Sequence, residues 1–216
     1  VDCQMRYIEK KTAPTVFIEW LHKTSPDWQP SFSNMSKVVK HGLKVALIEE
    51  QLGLCCYCES KLKDQDSHIE HLRPQTLFPD LALDYNNMLC SCQANLKRGA
   101  PRHCGNAKGD WFDEEKLISP LDRNCASHFR FTGDGHIKPN KEEDIAAKKT
   151  IEYLALDIPK LVDSRQRVLA AFLDENISDE EFRNFYNAYF NAPSALNPPE
   201  YISAILDVFS VQERSL

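Results

Sequence analysis

The stretch Cys55–Gln75, CCYCESKLKDQDSHIEHLRPQ, combines metal-ligand side chains with a short predicted strand. It contains three cysteines, two histidines and four acids. Cys55 and Cys58 form a C-x-x-C pair, whose two-residue gap on a tight turn lets both thiolates face one zinc ion. Redox proteins share this pair, so a zinc site needs two further donors.

Cys92 and Cys104 are the candidates for the second pair of donors, across a long spacer. Together with the C-x-x-C pair they would make a closed, all-thiolate structural zinc site. The alternative is a set of small buried thiols, which free cysteines often are. We favour zinc, because four donors fall in one turn-rich stretch that has little else to stabilise it. Three nearby side chains stay open as substitute ligands: Cys56, Cys90 and His103.

The composition is that of a globular protein with clustered thiols. The chain has 216 residues, eight cysteines and a formal net charge of −6. We find no apolar run of the roughly 18 residues that a membrane span needs, and no signal-like segment, so we expect a cytoplasmic protein. In a reducing cytosol, clustered cysteines are more often metal ligands than disulfides.

A basic loop interrupts the acidic chain. The segment 93–109 contains no acid but four cations, Lys97, Arg98, Arg102 and Lys108. The pattern fits a solvated loop and a phosphate-contacting patch about equally well.

Glu70 and His71 are the candidate reactive pair in this stretch. A histidine with an ordinary pKa near 6.5 can act as a general base at neutral pH. A carboxylate is a hard oxygen ligand that suits Mg²⁺. Adjacent residues of a strand face opposite ways, but we expect both side chains to reach one site at a bent strand end. A lone strand histidine is more often structural; its neighbouring carboxylate favours a function here.

The chain predicts an α+β fold that is mainly helical. The segments 33–53, 142–156, 159–174, 181–190 and 200–210 have helical periodicity, with Ser178 and Glu181 as a capping box before the fourth. SHIEHLRP alternates like a strand ending before Pro74, and HFRFTGDGHI predicts a hairpin. We therefore expect an N-terminal helical segment (1–53), a zinc-containing core with a following hairpin (54–138) and a C-terminal helical region (139–216).

Four segments, CCYCE, HIEHLRPQ, DYNNMLCSC and HCGNAKGDW, together resemble the HNH endonuclease superfamily, which has a small ββα-metal core. The segments MRYIEKKTAP, DWQPSF, LISPLDRNC and FRFTGDGHI extend the likeness to PtuB nuclease subunits. These subunits belong to Septu-type anti-phage systems, including those attached to retrons. The resemblance spans roughly residues 5 to 160.

The resemblance implies a role for each matching residue. His71 would activate a water as general base, Glu70 would bind a catalytic Mg²⁺ or similar ion, and Asn87 would orient the base. The position that usually carries the helix-borne ligand falls on Gly105, which has no side chain. Asn106 is our choice for that ligand, with His103 as the alternative to it. Arg73 and the four loop cations would hold flanking phosphates.

The resemblance also implies a substrate and partners. A nuclease of this kind would cleave DNA, our preferred substrate, or a structured RNA such as tRNA. It would act with a PtuA-like ATPase, and in some systems with a retron reverse transcriptase and its RNA–DNA product. Predicted docking onto that partner falls in the C-terminal helical region. The competing hypothesis is a non-catalytic zinc module that binds nucleic acid or protein; a C-x-x-C thiol oxidoreductase fits poorly.

Overall fold

A computed structural model describes residues 6–170, 178, 180, 181, 184 and 198–213. Within these residues, no helix is both long enough and apolar enough to cross a membrane. The fold is mixed, with helices around two small antiparallel sheets, as predicted. Most of the predicted helix 181–190 lies outside the described residues, but Ser178 and Glu181 do exchange the hydrogen bonds of a capping box.

The N-terminal part consists of helices α1 (Thr15–Leu21) and α2 (Lys37–Glu50). Helix α2 confirms the periodicity prediction: Ser36 caps its N-terminus, and Gly53 follows it with a φ of 76°. Both helices bury one apolar face in a common cluster, which also includes residues of the central strands. Its fully buried members are Phe17, Leu43, Leu47, Met88 and Cys90.

The central sheet is a two-stranded antiparallel pair, β1 (Ser67–His71) and β2 (Met88–Cys92). The register pairs Glu70 with Leu89 and His71 with Met88. Strand β1 is the predicted strand, and it ends before Pro74, which cannot donate to a ladder. The pairing of β1 with β2 places the strand that carries Glu70 and His71 beside the strand that ends at Cys92.

A single helical turn, α3 (Gly105–Lys108), completes a ββα unit. Cys104 precedes it with a φ of 56°, and the amide of Cys104 donates to the Leu154 carbonyl at 2.8 Å. The Gly105 amide donates to Ser91 Oγ of β2 at 3.1 Å. These contacts fix α3 against the sheet, although four residues would not form a stable helix alone.

The remaining elements pack around this unit. The predicted hairpin is β3 (Phe129–Phe131) with β4 (Ile137–Pro139), and the helices are α4 (Ile145–Tyr153), α5 (Pro159–Ala170) and α6 (Ile202–Glu213). Glu59, beside the C-x-x-C turn, accepts hydrogen bonds from the Ser203 amide and hydroxyl at the start of α6. Helix α6 is thereby fastened directly to the cysteine-rich turn.

Candidate functional site

The four predicted zinc ligands come together in the structure. The sulfur atoms of Cys55, Cys58, Cys92 and Cys104 all lie within 4.8 Å of one another, and all four residues are buried. The Cys58 and Cys92 sulfurs are 3.8 Å apart. A tetrahedral zinc with Zn–S bonds of about 2.3 Å separates its sulfurs by about 3.8 Å. The cluster therefore fits a four-thiolate zinc site.

The four thiols of the cluster shift one another's pKa values, and not all in the same direction. Hydrogen bonding with Cys104 is the largest influence on Cys58 and lowers its pKa to about 7. Burial alone would raise the pKa of Cys55, but hydrogen bonds with the other thiols leave it well below the ordinary value. Burial raises the pKa of Cys104 well above it. Four thiolates packed this closely need a compensating positive charge, which a dication supplies.

The three substitute ligands occupy other positions. Cys56 and Cys90 are buried but stand outside the four-sulfur group, and burial raises the pKa of Cys90 to about 12. His103 Nδ1 lies 3.2 Å from Cys104 Sγ and 3.7 Å from Cys92 Sγ. His103 thus contacts the sulfur cluster from its side.

Glu70 projects from β1 towards α3. Its Oε1 is 2.9 Å from Lys108 Nζ and accepts a hydrogen bond from the Tyr57 hydroxyl at 3.2 Å. Its Oε2 faces His68 Nε2 at 3.6 Å. Burial would raise the pKa of Glu70, but His68 and the positive charge of Lys108 outweigh burial and lower it. Glu70 is therefore an ionised, anchored carboxylate.

The side chain of His71 projects from the face of β1 opposite to that of Glu70. Its Nε2 lies 3.0 Å from the Ala82 carbonyl, and its ring meets the Phe32 ring edge to face with centroids 4.7 Å apart. Burial lowers the pKa of His71, so the imidazole is neutral at neutral pH. The carbonyl accepts from Nε2–H and leaves Nδ1 as the basic nitrogen.

Glu70 and His71 do not share contacts, contrary to the convergence expected at a bent strand end. Strand β1 is regular through His71, so successive side chains alternate. Their exposed fractions are 6% and 7%. What joins them is Lys108, whose ammonium group contacts Glu70 Oε1 and donates to the His71 backbone carbonyl at 2.9 Å.

Asn87 acts on the loop that follows β1. Its Oδ1 accepts from the Arg73 amide at 2.8 Å, and its Nδ2 donates to the carbonyls of Arg73 and Leu81. The next carbonyl along, that of Ala82, is the one that contacts His71. The side chain of Asn87 thus contacts the backbone on both sides of this loop, next to the carbonyl that contacts His71.

The other predicted residues are spread over two environments. Asn106 donates through Nδ2 to the Gln93 carbonyl at 2.6 Å, so its amide is directed at β2 and the basic loop. Lys108, expected to contact flanking phosphates, has a side chain that is only 1% exposed and is committed to Glu70. Arg73 pairs with Glu114 at 2.7 Å. The three remaining cations are exposed: Lys97, Arg98 and Arg102.

Sequence reasoning missed His68. It lies two residues before Glu70, on the same face of β1, and its side chain is 29% exposed. The two-residue period of a strand was the available signal, since it places positions 68 and 70 together. From the sequence, only the adjacent residues Glu70 and His71 were predicted as a reactive pair.

Comparison with known proteins finds two similar proteins. No family model matches the chain. It is 32% identical over 144 residues to "Retron Vc95 putative HNH endonuclease" of Vibrio cholerae serotype O1 biovar El Tor, over 63% of this chain and 65% of that protein. It is also 26% identical over 130 residues to "Septu protein PtuB" of Bacillus thuringiensis, over 58% of this chain and 46% of that protein.

The chain is similar to these two proteins and spans less than two thirds of the length of each, 65% of the Vibrio protein and 46% of the Bacillus protein. This similarity agrees with the resemblance noted in the motifs. The ββα unit with its four-cysteine cluster is consistent with a small HNH-like core.

Proposed function

We propose that the chain is a metal-dependent endonuclease that hydrolyses phosphodiester bonds at the Glu70–His71 edge of β1. The observation that carries the proposal is the contrast in charge between these neighbours. Glu70 is an ionised carboxylate anchored by Lys108, whereas burial keeps His71 neutral. The ionised carboxylate of Glu70 suits the binding of a metal cation, and the neutral imidazole of His71 can accept a proton.

Glu70 would hold a divalent ion, Mg²⁺ or a similar cation, through Oε2. The other oxygen, Oε1, is already occupied by Lys108 and Tyr57. When bound, such an ion supplies Lewis-acid stabilisation of charge on the scissile phosphate and the leaving oxygen. The ammonium group of Lys108 fixes the carboxylate in place, so that Oε2 keeps one direction.

His71 would take the proton from the attacking water through Nδ1. Its Nε2–H is committed to the Ala82 carbonyl, which holds the tautomer and the ring orientation. In-line displacement at phosphorus requires the nucleophile and the leaving oxygen on opposite sides. In this proposal the cation at Glu70 acts on the side of the leaving oxygen, and His71 acts on the side of the attacking water.

The four-cysteine cluster would hold a structural Zn²⁺ that does not contact substrate. The exposed loop cations Lys97, Arg98 and Arg102 would contact flanking phosphates and add affinity without sequence readout. Asn106 was expected to be the helix-borne ligand, but its amide is directed at Gln93. We therefore assign Asn106 to bracing the basic loop.

The wider assembly belongs to the same proposal. We place the nuclease core at 54–138 and propose that the chain acts with a PtuA-like ATPase, and in retron systems with the reverse transcriptase and its RNA–DNA product. The names of the two relatives support this assembly. The net charge of −6 supports dependence on a partner for binding nucleic acid. The cluster of reduced thiols supports a cytosolic location, which is part of the proposal.

A sequencing experiment tests the proposal. The chain is co-expressed with a PtuA-like ATPase, and nucleic-acid ends, DNA and RNA separately, are sequenced from cells carrying wild-type or His71→Ala protein. We expect recurrent new ends, DNA being favoured, that vanish with His71→Ala and persist with His136→Ala, a histidine that pairs with Asp157 away from the site. Equal ends from wild-type and His71→Ala cells would overturn the proposal and favour a non-catalytic zinc module.

A further inference from the structure

The side chains of Glu70 and His68 meet at Gly105. A Cβ atom built on Gly105 would collide with Glu70 Oε2 and would lie 2.9 Å from His68 Nε2. Gly105 does not have a left-handed backbone conformation, so torsion does not demand glycine. A side chain at position 105 would instead displace the carboxylate oxygen and the imidazole nitrogen from the positions they occupy.

The distance between those two atoms suits a shared cation. His68 Nε2 and Glu70 Oε2 are 3.6 Å apart, longer than a hydrogen bond. Two ligands at about 2.1 Å from one ion are about 3.0 Å apart at a right angle and about 3.4 Å apart at a tetrahedral angle. A shift of a few tenths of an ångström would bring both atoms to one ion.

We propose that His68 Nε2 and Glu70 Oε2 together bind one divalent cation, and that Gly105 keeps the space for it. This inference rests on the proposed function, since it names the second protein ligand of the same cation. His68 thereby takes the role that was assigned to Asn106 from the sequence. Oε1 remains with Lys108 and Tyr57, so Glu70 binds through one oxygen.

The surroundings of His68 predict an exchangeable ion. Its Nδ1 is buried and, among the residues that the structure describes, has no hydrogen-bond partner. An outer hydrogen bond to the second nitrogen normally strengthens a metal-bound imidazole by 10- to 100-fold. Without it, the cation at His68 and Glu70 should exchange readily, whereas a four-thiolate zinc should not.

Titration of the purified chain with Mn²⁺, followed by the electron paramagnetic resonance signal of the free ion, tests the assignment. We expect His68→Ala and Glu70→Ala each to weaken Mn²⁺ binding by at least about tenfold, with zinc content unchanged. His136→Ala is the matched control, because its imidazole also faces a carboxylate, at 2.9 Å. Unchanged Mn²⁺ affinity in His68→Ala would overturn the inference.

A second variant gives a test of coupling. With His68 present, Gly105→Asn should weaken Mn²⁺ binding, because the new side chain displaces both ligand atoms. In the His68→Ala background, the same Gly105→Asn change should weaken binding by a smaller factor, because only Glu70 Oε2 is left to be displaced. The same effect of Gly105→Asn in both backgrounds would contradict a shared cation at this position.

A measurement on the unmutated chain removes dependence on the folding of variants. With ¹⁵N-labelled histidines, substoichiometric Mn²⁺ should broaden the ring signals of His68 first and leave those of His136 sharp. Sharp His68 signals with broadened His103 signals would overturn the assignment.

The outcomes separate this inference from the proposed function. Loss of Mn²⁺ binding in His68→Ala, with no His71-dependent ends in cells, would support the ligand assignment and reject the nuclease. His71-dependent ends with unchanged Mn²⁺ affinity in His68→Ala would support the nuclease and reject the ligand. A wild-type chain that binds no Mn²⁺ would reject both.

Discussion

The same small core contains two groups of potential metal ligands, the four-cysteine cluster and the group around Glu70. They differ in burial, in ligand chemistry and in the number of ligands. The cysteine cluster is buried, closed and made of four soft sulfur atoms. The group around Glu70 combines one carboxylate with one partly exposed imidazole, so most of any cation's coordination shell would stay with solvent or substrate. The first arrangement suits an ion that holds structure, and the second suits an ion that takes part in a reaction.

In this small core, the cysteine cluster should determine stability, whereas the residues of β1 should determine the reaction. The cluster ties the C-x-x-C turn, the end of β2 and the start of α3 together. Glu70, His68 and His71 all come from β1, which contributes no ligand to the cysteine cluster. Damage to the cluster should therefore disrupt both ligand groups, whereas damage at β1 should leave the cluster intact.

The largest expected effect comes from the cluster. Cys58→Ser should lose zinc and the cooperative unfolding transition of the core, because structural zinc provides much of the folding free energy of small domains. Zinc content by mass spectrometry and thermal unfolding by circular dichroism measure this. Cys90→Ser is the control, a buried thiol of β2 outside the cluster, and should keep its zinc. Zinc retained by Cys58→Ser would remove the cluster from the account.

Replacement of the predicted base comes next in size. His71→Ala should reduce nucleic-acid cleavage by the chain in its active complex by about 10²- to 10⁴-fold, the usual contribution of a general base. Zinc content and melting temperature should stay near wild type, and the comparison of cleavage rates with zinc content distinguishes the two ligand groups. A cleavage rate within about twofold of wild type would exclude His71 as the base.

The Lys108→Met variant tests how much the ion pair between Lys108 and Glu70 contributes to stability. The Lys108 ammonium is 1% exposed and the Glu70 side chain 8%, so removal of the cation leaves a buried carboxylate without its charge partner. We expect a loss of about 3 kcal/mol in the free energy of unfolding, measured by urea denaturation. Lys116→Met, which removes an exposed ion pair with Asp113, should cost far less. Equal losses would show that the Lys108–Glu70 pair is no stronger than a surface pair.

The pH dependence of cleavage should follow His71. Its pKa is lowered by burial below the ordinary 6.5, so the neutral, basic form persists to lower pH than for an exposed histidine. Cleavage should be constant above pH 7 and fall about tenfold per pH unit once the pH drops below the lowered pKa. Single-turnover rates from pH 5 to pH 8 measure the profile. An acidic limb with its midpoint above 6.5 would contradict burial as the controlling influence.

The smallest effect should come from the basic loop. A triple change of Lys97, Arg98 and Arg102 to Ala should weaken binding of nucleic acid by the active complex and reduce the slope of log affinity against log salt by about 2 to 3. A matched triple change of exposed cations elsewhere, Arg130, Lys141 and Lys148, should leave the slope unchanged. Equal slopes in both triple variants would make the loop a solvated surface.

Local patterns predicted most of the fold and the cysteine cluster. Helix α2 follows from its apolar period and Ser36 cap, β1 from its alternation, and the β3–β4 hairpin from its Gly-Asp-Gly turn. The four cysteines were predicted because four potential donors fall in one turn-rich stretch between residues 55 and 104. For the helix, the strand and the hairpin, the deciding information lies within a few neighbouring residues.

The details at Glu70 could not be predicted in this way, because they depend on how α3 docks on β1. Lys108 and Gly105 are nearly 40 residues away from Glu70 in sequence, and only the docked helix shows that one neutralises the carboxylate and the other makes room for it. The role of Asn87 likewise requires the path of the loop, since its hydrogen bonds reach backbone groups on either side of that loop. The sequence motifs predicted which residue types lie near the site, but only the tertiary structure shows which groups each of them contacts.

Native mass spectrometry of the chain equilibrated with Zn²⁺ and Mn²⁺, before and after a brief exposure to EDTA, tests the division between the two ligand groups most directly. We predict one zinc and one manganese ion before treatment and one zinc ion after it, with Glu70→Ala carrying only zinc throughout. Two ions that leave together, or a second ion that survives in Glu70→Ala, would contradict the account.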